Sequence, residues 1–290
     1  MSALQGAFAE ARFAPLLREH RRRSVVRTLT AVVGLVGAVL LAAEVAQFEP
    51  GRLIAGLSRL GEFLNLLVPP VGAATLLHDM GEWYWNLGHW LWLLLETLLM
   101  ASLATALGTI GGALMSFSAS RNLTRGPRVY WVVRRVLEFA RAVPDLVFAI
   151  IFVFAFGLGP LAGVLAIAVH TLGAQGKLFA EANENVDMGP VLGIRAAGGD
   201  RREEILWGVV PQVLPNWVSF TFWRFEINLR SATIIGFVGA GGIGVELYDA
   251  LRLNYYDDTG AILVLVALTV FAIDYASERL RLRIAGEAAA

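Results

Sequence analysis

The sequence has 290 residues, of which 57% are hydrophobic and 17% are charged, and its mean hydropathy is +0.61. Soluble domains carry about 25% charged residues, so this composition excludes an ordinary soluble protein and indicates a membrane protein. The formal net charge of zero argues against a nucleic-acid partner. Cysteine is absent, which excludes disulfides, thiolate metal sites and a cysteine nucleophile.

The N-terminal segment, residues 1–27, is predicted to form a helix at the cytoplasmic membrane interface. It mixes Phe8, Phe13 and Leu16 with charged residues, a pattern typical of a helix that lies on membrane lipid. The apolar segment 28–48 follows. We interpret it as an uncleaved span, because its polar lead and its length exceed those of a signal peptide.

The rest of the chain carries five more apolar segments. A helix needs about 20 apolar residues to cross a bilayer, and the six candidates are residues 28–48, 89–117, 130–158, 161–180, 209–237 and 261–276. An external segment, 49–88, separates the first two spans, and leucines at helical spacing predict a helix there that ends at Pro69 and Pro70. The sequence therefore predicts an all-α protein whose six-span membrane domain covers 28–278, with a cytoplasmic tail at 279–290.

The distribution of arginine predicts the orientation of these spans. Seventeen arginines lie before the first span, between the second and third spans or just inside the third, between the fourth and fifth, and after the sixth, whereas the opposite side keeps Arg52, Arg59 and Arg252. Cytoplasmic loops are enriched in arginine and lysine. We therefore expect both termini to face the cytoplasm.

A glycine-rich segment at 236–246 carries Gly239, Gly241 and Gly244 at the spacing G-x-G-x-x-G. A dinucleotide site with this spacing needs a strand before the glycines and a βαβ unit around them. Here an apolar span precedes the glycines. We therefore interpret the segment as a loop at which a helix leaves the membrane and the chain turns back, and not as a dehydrogenase motif.

The segment between spans four and five predicts a compact cytoplasmic projection. Residues 190–215 have the sequence PVLGIRAAGGDRREEILWGVVPQVLP. This sequence predicts a short helix, a break at Gly198 and Gly199, a charged turn, and a segment bounded by Pro211 and Pro215. A docking loop and an ordinary solvated connection are both compatible with this composition.

This projection resembles the cytoplasmic coupling loop of ABC-importer permeases. Further segments resemble the phosphonate-transporter permeases: ETLLMA at 96–101, SASRNL at 118–123, RAVPDLVFAIIF at 141–152, HTLGAQGKLFAE at 170–181 and WRFEINLRSATIIGFVGAGGIG at 223–244. They follow one another over most of residues 96–246. The resemblance implies the type I ABC importer permease fold, with a cytoplasmic coupling helix in the coupling loop, 181–208.

The resemblance also implies the partners and the activity. It implies a permease subunit in the bacterial inner membrane that imports phosphonate, phosphite or hypophosphite by alternating access. Two ABC ATPase subunits, a second permease that is identical or homologous, and an external substrate-binding protein would complete the transporter. This chain would bind no cofactor and catalyse no reaction, since ATP and Mg would be bound by the ATPases.

The residues expected to contact an ATPase, on this resemblance, are Leu192, Gly193, Arg195, Gly198 and Arg201. Leu192 stands where the family carries an acidic residue, so the polar contact of that residue is absent from this chain. We expect Leu192 and Gly193 to pack against the ATPase instead.

Ionisable residues inside the spans are the candidates for the substrate pathway, because charge in a bilayer is costly and usually functional. They are Arg224, Glu226, Arg230 and His170. An arginine fork suits an oxyanion. Two structural alternatives stay open, namely a Glu226–Arg230 pair that locks helices together and a histidine that hydrogen-bonds a neighbouring helix.

Proline and glycine mark candidate turns and gates. Pro144 predicts a kink in the third span. The candidate gate or turn residues are Pro144, Gly239, Gly241 and Gly244. Gly108, Gly111 and Gly112 predict a close approach between helices, for which a subunit interface is one candidate.

Two other functions were weighed. A membrane-embedded enzyme would need a catalytic or metal-binding constellation, and the four histidines are scattered without paired spacing, so no catalytic and no metal-binding residue is predicted. A permease for an amino acid such as methionine remains the alternative within transport.

Overall fold

The structure, a computed structural model, describes residues 2–69, 75–124 and 126–288, and describes side chains between residues 21 and 281. The chain divides into two compact units, Met1–Leu64 and Asn65–Ala290. The first unit contains α1, Ser2–Val45, and most of α2, Pro50–Leu67. Helix α1 runs unbroken through the predicted interfacial segment and the predicted first span, and α2 is the predicted external helix.

The second unit contains ten further helices among its described residues. Between α9 and α10 lies a π-helical turn, Glu204–Val209, and between α10 and α11 lies a 3-10 turn, Gly236–Val238. Every regular element among the described residues is helical, which confirms the all-α fold. The helices are α3 Leu76–Trp83, α4 Leu87–Ala119, α5 Pro127–Ala142, α6 Asp145–Phe156, α7 Pro160–Glu184, α8 Met188–Ala196, α9 Arg201–Glu203, α10 Val210–Ile235, α11 Ile243–Arg252 and α12 Tyr256–Ala288.

Four helical segments are long and apolar enough to cross a membrane by themselves, namely Arg21–Val45, Leu87–Ala119, Pro160–Glu184 and Tyr256–Arg281. Two bent pairs pass the same test: α5 with α6, which meet at 89°, and the segment Arg201–Val238 with α11, which meet at 47°. If each bent pair counts as one span, the structure has the six predicted spans. The third and fifth spans are thus broken helices.

Helix α7 is the element on which the second unit is assembled, because α4, α5, α6 and α10 all pack against it. The approach of α4 is closest where both helices carry glycine. A Cβ atom at Gly112 would stand 2.8 Å from the backbone nitrogen of Gly176. The predicted close approach at Gly108, Gly111 and Gly112 therefore occurs against α7 inside the chain and not between subunits.

Small residues dominate the main core between these helices. Ala101, Ala104, Ala166 and Ala232 are fully buried there beside larger apolar side chains. In a membrane, lipid is as apolar as the protein interior, so helices associate through close van der Waals packing of small residues. This core therefore holds α4, α7 and α10 at short range and fixes the side chains that project between them.

We predict that Gly112→Ala destabilises the protein, because the added methyl group meets the backbone of α7 and an overpacked core costs about 1–3 kcal/mol. The matched control is Gly88→Ala in the same helix, where a Cβ meets nothing within 4 Å. Alanine favours a helix over glycine, so the control variant should be unchanged or slightly more stable. Thermal unfolding of both variants in detergent measures the difference, and equal midpoints would contradict the packing argument.

Candidate functional sites: coupling loop, glycine loop and polar centre

The predicted coupling loop is a compact helical projection. Helix α8 begins at Asp187, whose carboxylate accepts a hydrogen bond of 2.9 Å from the Gly189 N–H. It ends just before Gly198, whose φ of +88° belongs to the left-handed region that favours glycine. Asp200 and Glu203 then form a reciprocal capping box that starts α9. Local hydrogen bonds thus define both ends of the projection.

Arg195 joins the two halves of this projection. Its guanidinium donates two hydrogen bonds to the Glu204 carboxylate, at 2.7 and 3.0 Å. The hydrogen bond to Glu204, followed by the charge of the same carboxylate, raises the pKa of Arg195. Bidentate arginine–carboxylate pairs fix geometry as well as charge. Arg195 is therefore engaged within the loop, where it links α8 to the π-helical turn.

Leu192 and Gly193 lie on the exposed face of α8. The Leu192 side chain is 52% exposed, and a Cβ atom at Gly193 would meet nothing within 4 Å, whereas the neighbouring Val191 is buried. Leu206 and Trp207 in the π-helical turn are also exposed. Sequence analysis did not select these last two residues, since an apolar residue next to a predicted span looks like part of that span.

The glycine loop connects α10 to α11. Gly239 and Gly241 have φ angles of +79° and +89°, and the loop is tied to its neighbours by a hydrogen bond of 2.9 Å from the Gly159 N–H to the Gly239 carbonyl. A helix and not a strand precedes it, so the dinucleotide motif is absent. The chain bends by 47° and continues as α11, so the predicted turning back of the chain at this loop was wrong.

Side chains of α4 explain why the chain continues. The Ile243 N–H at the start of α11 donates to the Thr97 hydroxyl at 2.9 Å, and the Gly242 N–H donates to the Glu96 carboxylate at 3.3 Å. The first N–H groups of a helix lack partners within the helix. Because α4 supplies partners for two of them, α11 can begin inside the protein.

The predicted kink at Pro144 is a complete break. Helix α5 ends at Ala142, Val143 is extended, and α6 starts after Pro144 at an angle of 89°. Proline lacks the N–H that a continuous helix requires. The Asp145 carboxylate accepts a hydrogen bond of 2.9 Å from the Leu146 N–H and so stabilises the start of α6.

Close to this break, six polar residues from four elements form what we call the polar centre: Thr105, Asp145, His170, Thr171, Arg224 and Asn228. Asn228 is fully buried and its amide donates to the hydroxyls of Thr105 and Thr171, at 2.8 and 2.9 Å. These bonds connect α10 to α4 and α7. Buried polar groups are stable in an apolar interior only when they are paired in this way.

Arg224 occupies the centre of this set. It is 8% exposed, its Nε atom donates to the Thr171 hydroxyl at 3.3 Å, and its Nη2 atom is hydrogen-bonded to Nδ1 of His170. The negative charge of Asp145 acts on both Arg224 and His170. The guanidinium is therefore held by neighbouring protein groups and balanced by a carboxylate.

The polar centre lies near the middle of the membrane span. His170 comes ten residues after the start of α7 at Pro160 and fourteen before its end at Glu184. At 1.5 Å per residue these separations correspond to about 15 and about 21 Å. Since the hydrocarbon core is about 30 Å thick, His170 and Arg224 lie at mid-depth.

Glu226 and Arg230 belong to a second set of charges, between α10 and α12. Glu226 forms an ion pair with Arg281 at 3.0 Å, and Arg230 forms one with Asp274 at 2.5 Å. The expected pairing within α10 is thus replaced by pairing between two helices, although the charge of Arg230 still acts on Glu226. Of the four predicted pathway residues, the structure brings together His170 and Arg224 and separates Glu226 and Arg230 from them.

The fold places the chain in a known class of membrane proteins. It matches a chain of the inward-facing MetNI methionine ABC transporter with a TM-score of 0.58 at 18% identity, over 67% of this chain and 95% of that one. A crystal structure of an amino acid ABC transporter with histidines matches with a TM-score of 0.55 at 16% identity, over 69% and 98%. The fold is that of a type I ABC importer permease, as the sequence predicted.

Residues 108–284 match the family described as binding-protein-dependent transport system inner membrane component, and the chain belongs to that family. It is 38% identical to the phosphite transport system permease protein PtxC of Stutzerimonas stutzeri, over 88% of this chain and 89% of the relative. It is 42% identical to the phosphate-import permease protein PhnE of Mycolicibacterium smegmatis, over 80% of this chain. The matched region makes up 41% of that longer relative.

A third relative matches a shorter part of this chain. The putative cryptic phosphonate transport system permease protein PhnE2 of Escherichia coli is 51% identical, over 41% of this chain and 97% of the relative. These relatives confirm the resemblance to the phosphonate branch of the permeases.

We predict that Asn228→Ala lowers stability by about 1–2 kcal/mol, because it leaves the buried hydroxyls of Thr105 and Thr171 without their amide partner. Asn216→Ala in the same helix is the matched control, since Asn216 is exposed. Thermal unfolding in detergent should show a lower midpoint for Asn228→Ala alone. Two variants of equal stability would mean that the polar centre contributes no packing energy.

Proposed function

We propose that this chain is the permease subunit of an ATP-driven importer for a tetrahedral phosphorus oxyanion, namely phosphonate, phosphite or hypophosphite. The observation that supports it most directly is that the chain is 38% identical, over 88% of its length, to a permease named for phosphite. The chain also carries arginine near the middle of its spans. Arginine presents a planar fork of donors that matches such oxygens. Phosphate, named for one relative, has the same geometry.

We infer a transporter with the usual set of partners. Two ABC ATPase subunits would bind the projections of two permeases, of which the second is this chain again or a homologue, and an external binding protein would deliver the substrate. ATP and Mg would be bound by the ATPases and not by this chain. Both termini would lie in the cytoplasm, in keeping with the arginine distribution.

Alternating access would then follow from movements at the coupling loop. The bidentate contact between Arg195 and Glu204 makes α8 and the π-helical turn one stiff piece, which leads directly into α10. A displacement of α8 by an ATPase would therefore be transmitted along α10 to Arg224. The breaks at Pro144 and in the glycine loop are positions at which spans can change their angle.

The buried charges have distinct roles in this proposal. Arg224 and His170 lie behind the wall of the path at mid-depth and support the residues that line it, and Gly239, Gly241 and Gly244 allow the fifth span to bend beside it. The pairs that Glu226 and Arg230 make with α12 hold the sixth span against the fifth. Because each of these two pairs is neutral, neither needs a substrate to balance its charge.

Import of methionine is the second candidate. The methionine import system permease protein MetP of Bacillus subtilis is 26% identical to this chain over 167 residues. A substrate without net charge gains little from a buried guanidinium, whereas an oxyanion is attracted to it. The arginine in the polar centre therefore favours the oxyanion.

The decisive experiment combines purification with transport. We predict that gentle extraction of the tagged chain from its native membrane recovers an ABC ATPase, and that the complex, reconstituted in vesicles with its binding protein, takes up labelled phosphite or a phosphonate only with ATP. Labelled methionine is the control substrate. Uptake of methionine and not of the phosphorus compounds would establish the second candidate instead, and a chain that recovers no ATPase would contradict the importer.

We predict that Leu192→Ala weakens the retention of the ATPase by about tenfold, because it removes roughly 1.5–2 kcal/mol of apolar burial at the contact. Leu253→Ala is the matched control, since Leu253 is 53% exposed and follows α11, outside the projection. Thermal unfolding should be unchanged for both variants. Equal ATPase retention by the wild type and by Leu192→Ala would remove α8 from the contact.

A further inference from the structure

Arg141 is an exposed arginine at the break of the third span. It lies in the last turn of α5, one residue before the helix ends. The two other arginines of the middle of this helix are paired, Arg134 with Glu184 at 3.1 Å and Arg135 with Glu138 at 2.7 Å. Within the described ranges 21–69, 75–124 and 126–281, the Arg141 guanidinium forms neither an ion pair nor a hydrogen bond.

The depth of Arg141 makes this exposure significant. Its backbone packs on Gly173 of α7, where a Cβ atom would stand 2.5 Å from the Arg141 nitrogen. Gly173 lies thirteen residues after Pro160 and eleven before Glu184, or about 20 and about 16 Å along the helix. A guanidinium that faced hydrocarbon here would cost several kcal/mol, so such residues face a bundle interior or a water-filled cavity.

The polar centre lies directly behind Arg141. The His170 ring is hydrogen-bonded to the Arg141 backbone and also experiences the charges of Arg141, Arg224 and Asp145. Because a guanidinium has donors and no acceptor, Nδ1 of His170 must accept the hydrogen bond from Arg224, which requires a neutral imidazole. Two arginines and one aspartate therefore leave one positive charge in excess.

Arg224 is buried and the charge of Asp145 acts on it, whereas Arg141 is exposed and forms no ion pair with an acidic residue among the described residues, so we assign the excess charge to Arg141. The two nearest alternatives are neutralised: Arg230 pairs with Asp274 on α12, and Lys177 pairs with Glu181 one turn away. A mobile anion is the group that would balance Arg141 at this depth. A single fork of donors also binds weakly enough to release its cargo, as transport requires.

We propose that Arg141 is the residue that contacts the oxyanion in the translocation path, at the break between α5 and α6. Arg224 does not reach the substrate. It positions His170, which in turn holds the Arg141 backbone. This inference rests on the proposed function. It assigns the anion contact to an exposed arginine and not to one of the buried charged residues that stand out among the apolar residues of the spans.

The absence of cysteine from the chain permits a direct test. Arg141→Cys creates the single cysteine of the permease, and it can be treated in membranes with a cationic or an anionic methanethiosulfonate reagent. The complete transporter, with its ATPases and binding protein, is then reconstituted for uptake of labelled phosphite. Arg135→Cys, on the same helix, is the matched control because it also removes one positive charge but lies beside Glu138.

We expect Arg141→Cys to assemble normally and to lower phosphite uptake by about tenfold or more, the effect of losing a charge-assisted hydrogen bond. The cationic adduct should restore part of the uptake and the anionic adduct should not, and excess phosphite should slow labelling. Arg135→Cys should transport as the wild type does. If Arg141 acted only in packing, the cationic adduct would not restore phosphite uptake.

Two results would overturn the inference. One is unchanged uptake by Arg141→Cys, and the other is a cysteine that the charged reagents do not reach, as expected for a residue covered by lipid or by the second permease. Both require a wild-type transporter that imports phosphite. If the wild type imports no phosphorus oxyanion, the proposed function itself fails, and that outcome is recorded before any variant is tested.

Discussion

Within a bilayer no water is available to hydrogen-bond a free backbone or side-chain group, so each interruption of a helix must be satisfied by another helix. The two broken spans of this protein meet that requirement through different residues. At the glycine loop, Thr97 and Glu96 of α4 bind the N–H groups that open α11. At the Pro144 break, the Asp145 carboxylate accepts a hydrogen bond from the Leu146 N–H in the first turn of α6, and the His170 ring interacts with the Arg141 backbone.

Both arrangements depend on α7 and its close neighbours. The glycines of α4 and α7 bring the two helices close enough for Thr105 and Thr171 to be reached by one amide, that of Asn228 on α10. The same short distance holds Arg224 beside His170. Small side chains thus create the packing, the packing gathers the polar groups, and the polar groups permit breaks in the spans that a transporter can use to move.

The sequence was sufficient for the features that depend on local composition. Among the described residues, apolar length identified four helices that are long enough to cross a membrane and two bent pairs that pass the same test. Pro144 identified a break, and the glycine and proline pattern of residues 190–215 identified the projection between α7 and α10. It was insufficient where a residue's partner lies far along the chain. Glu226 and Arg230 have helical spacing that suits a pair within α10, but α12 offers Arg281 and Asp274, and no local pattern reveals that competition.

The same limit applies to the choice between Arg224 and Arg141 as the proposed anion contact. Arg224 attracts attention because apolar residues surround it in the sequence, yet it is 8% exposed and its Nε and Nη2 atoms are hydrogen-bonded to Thr171 and His170. Arg141 lies in an amphipathic helix with other arginines and so looks like a cytoplasmic residue. Its depth becomes visible only when Gly173 is found against its backbone. An unpaired charge at mid-depth in a membrane has a high free-energy cost. The proposal accounts for that cost, because a charged substrate would balance the Arg141 guanidinium.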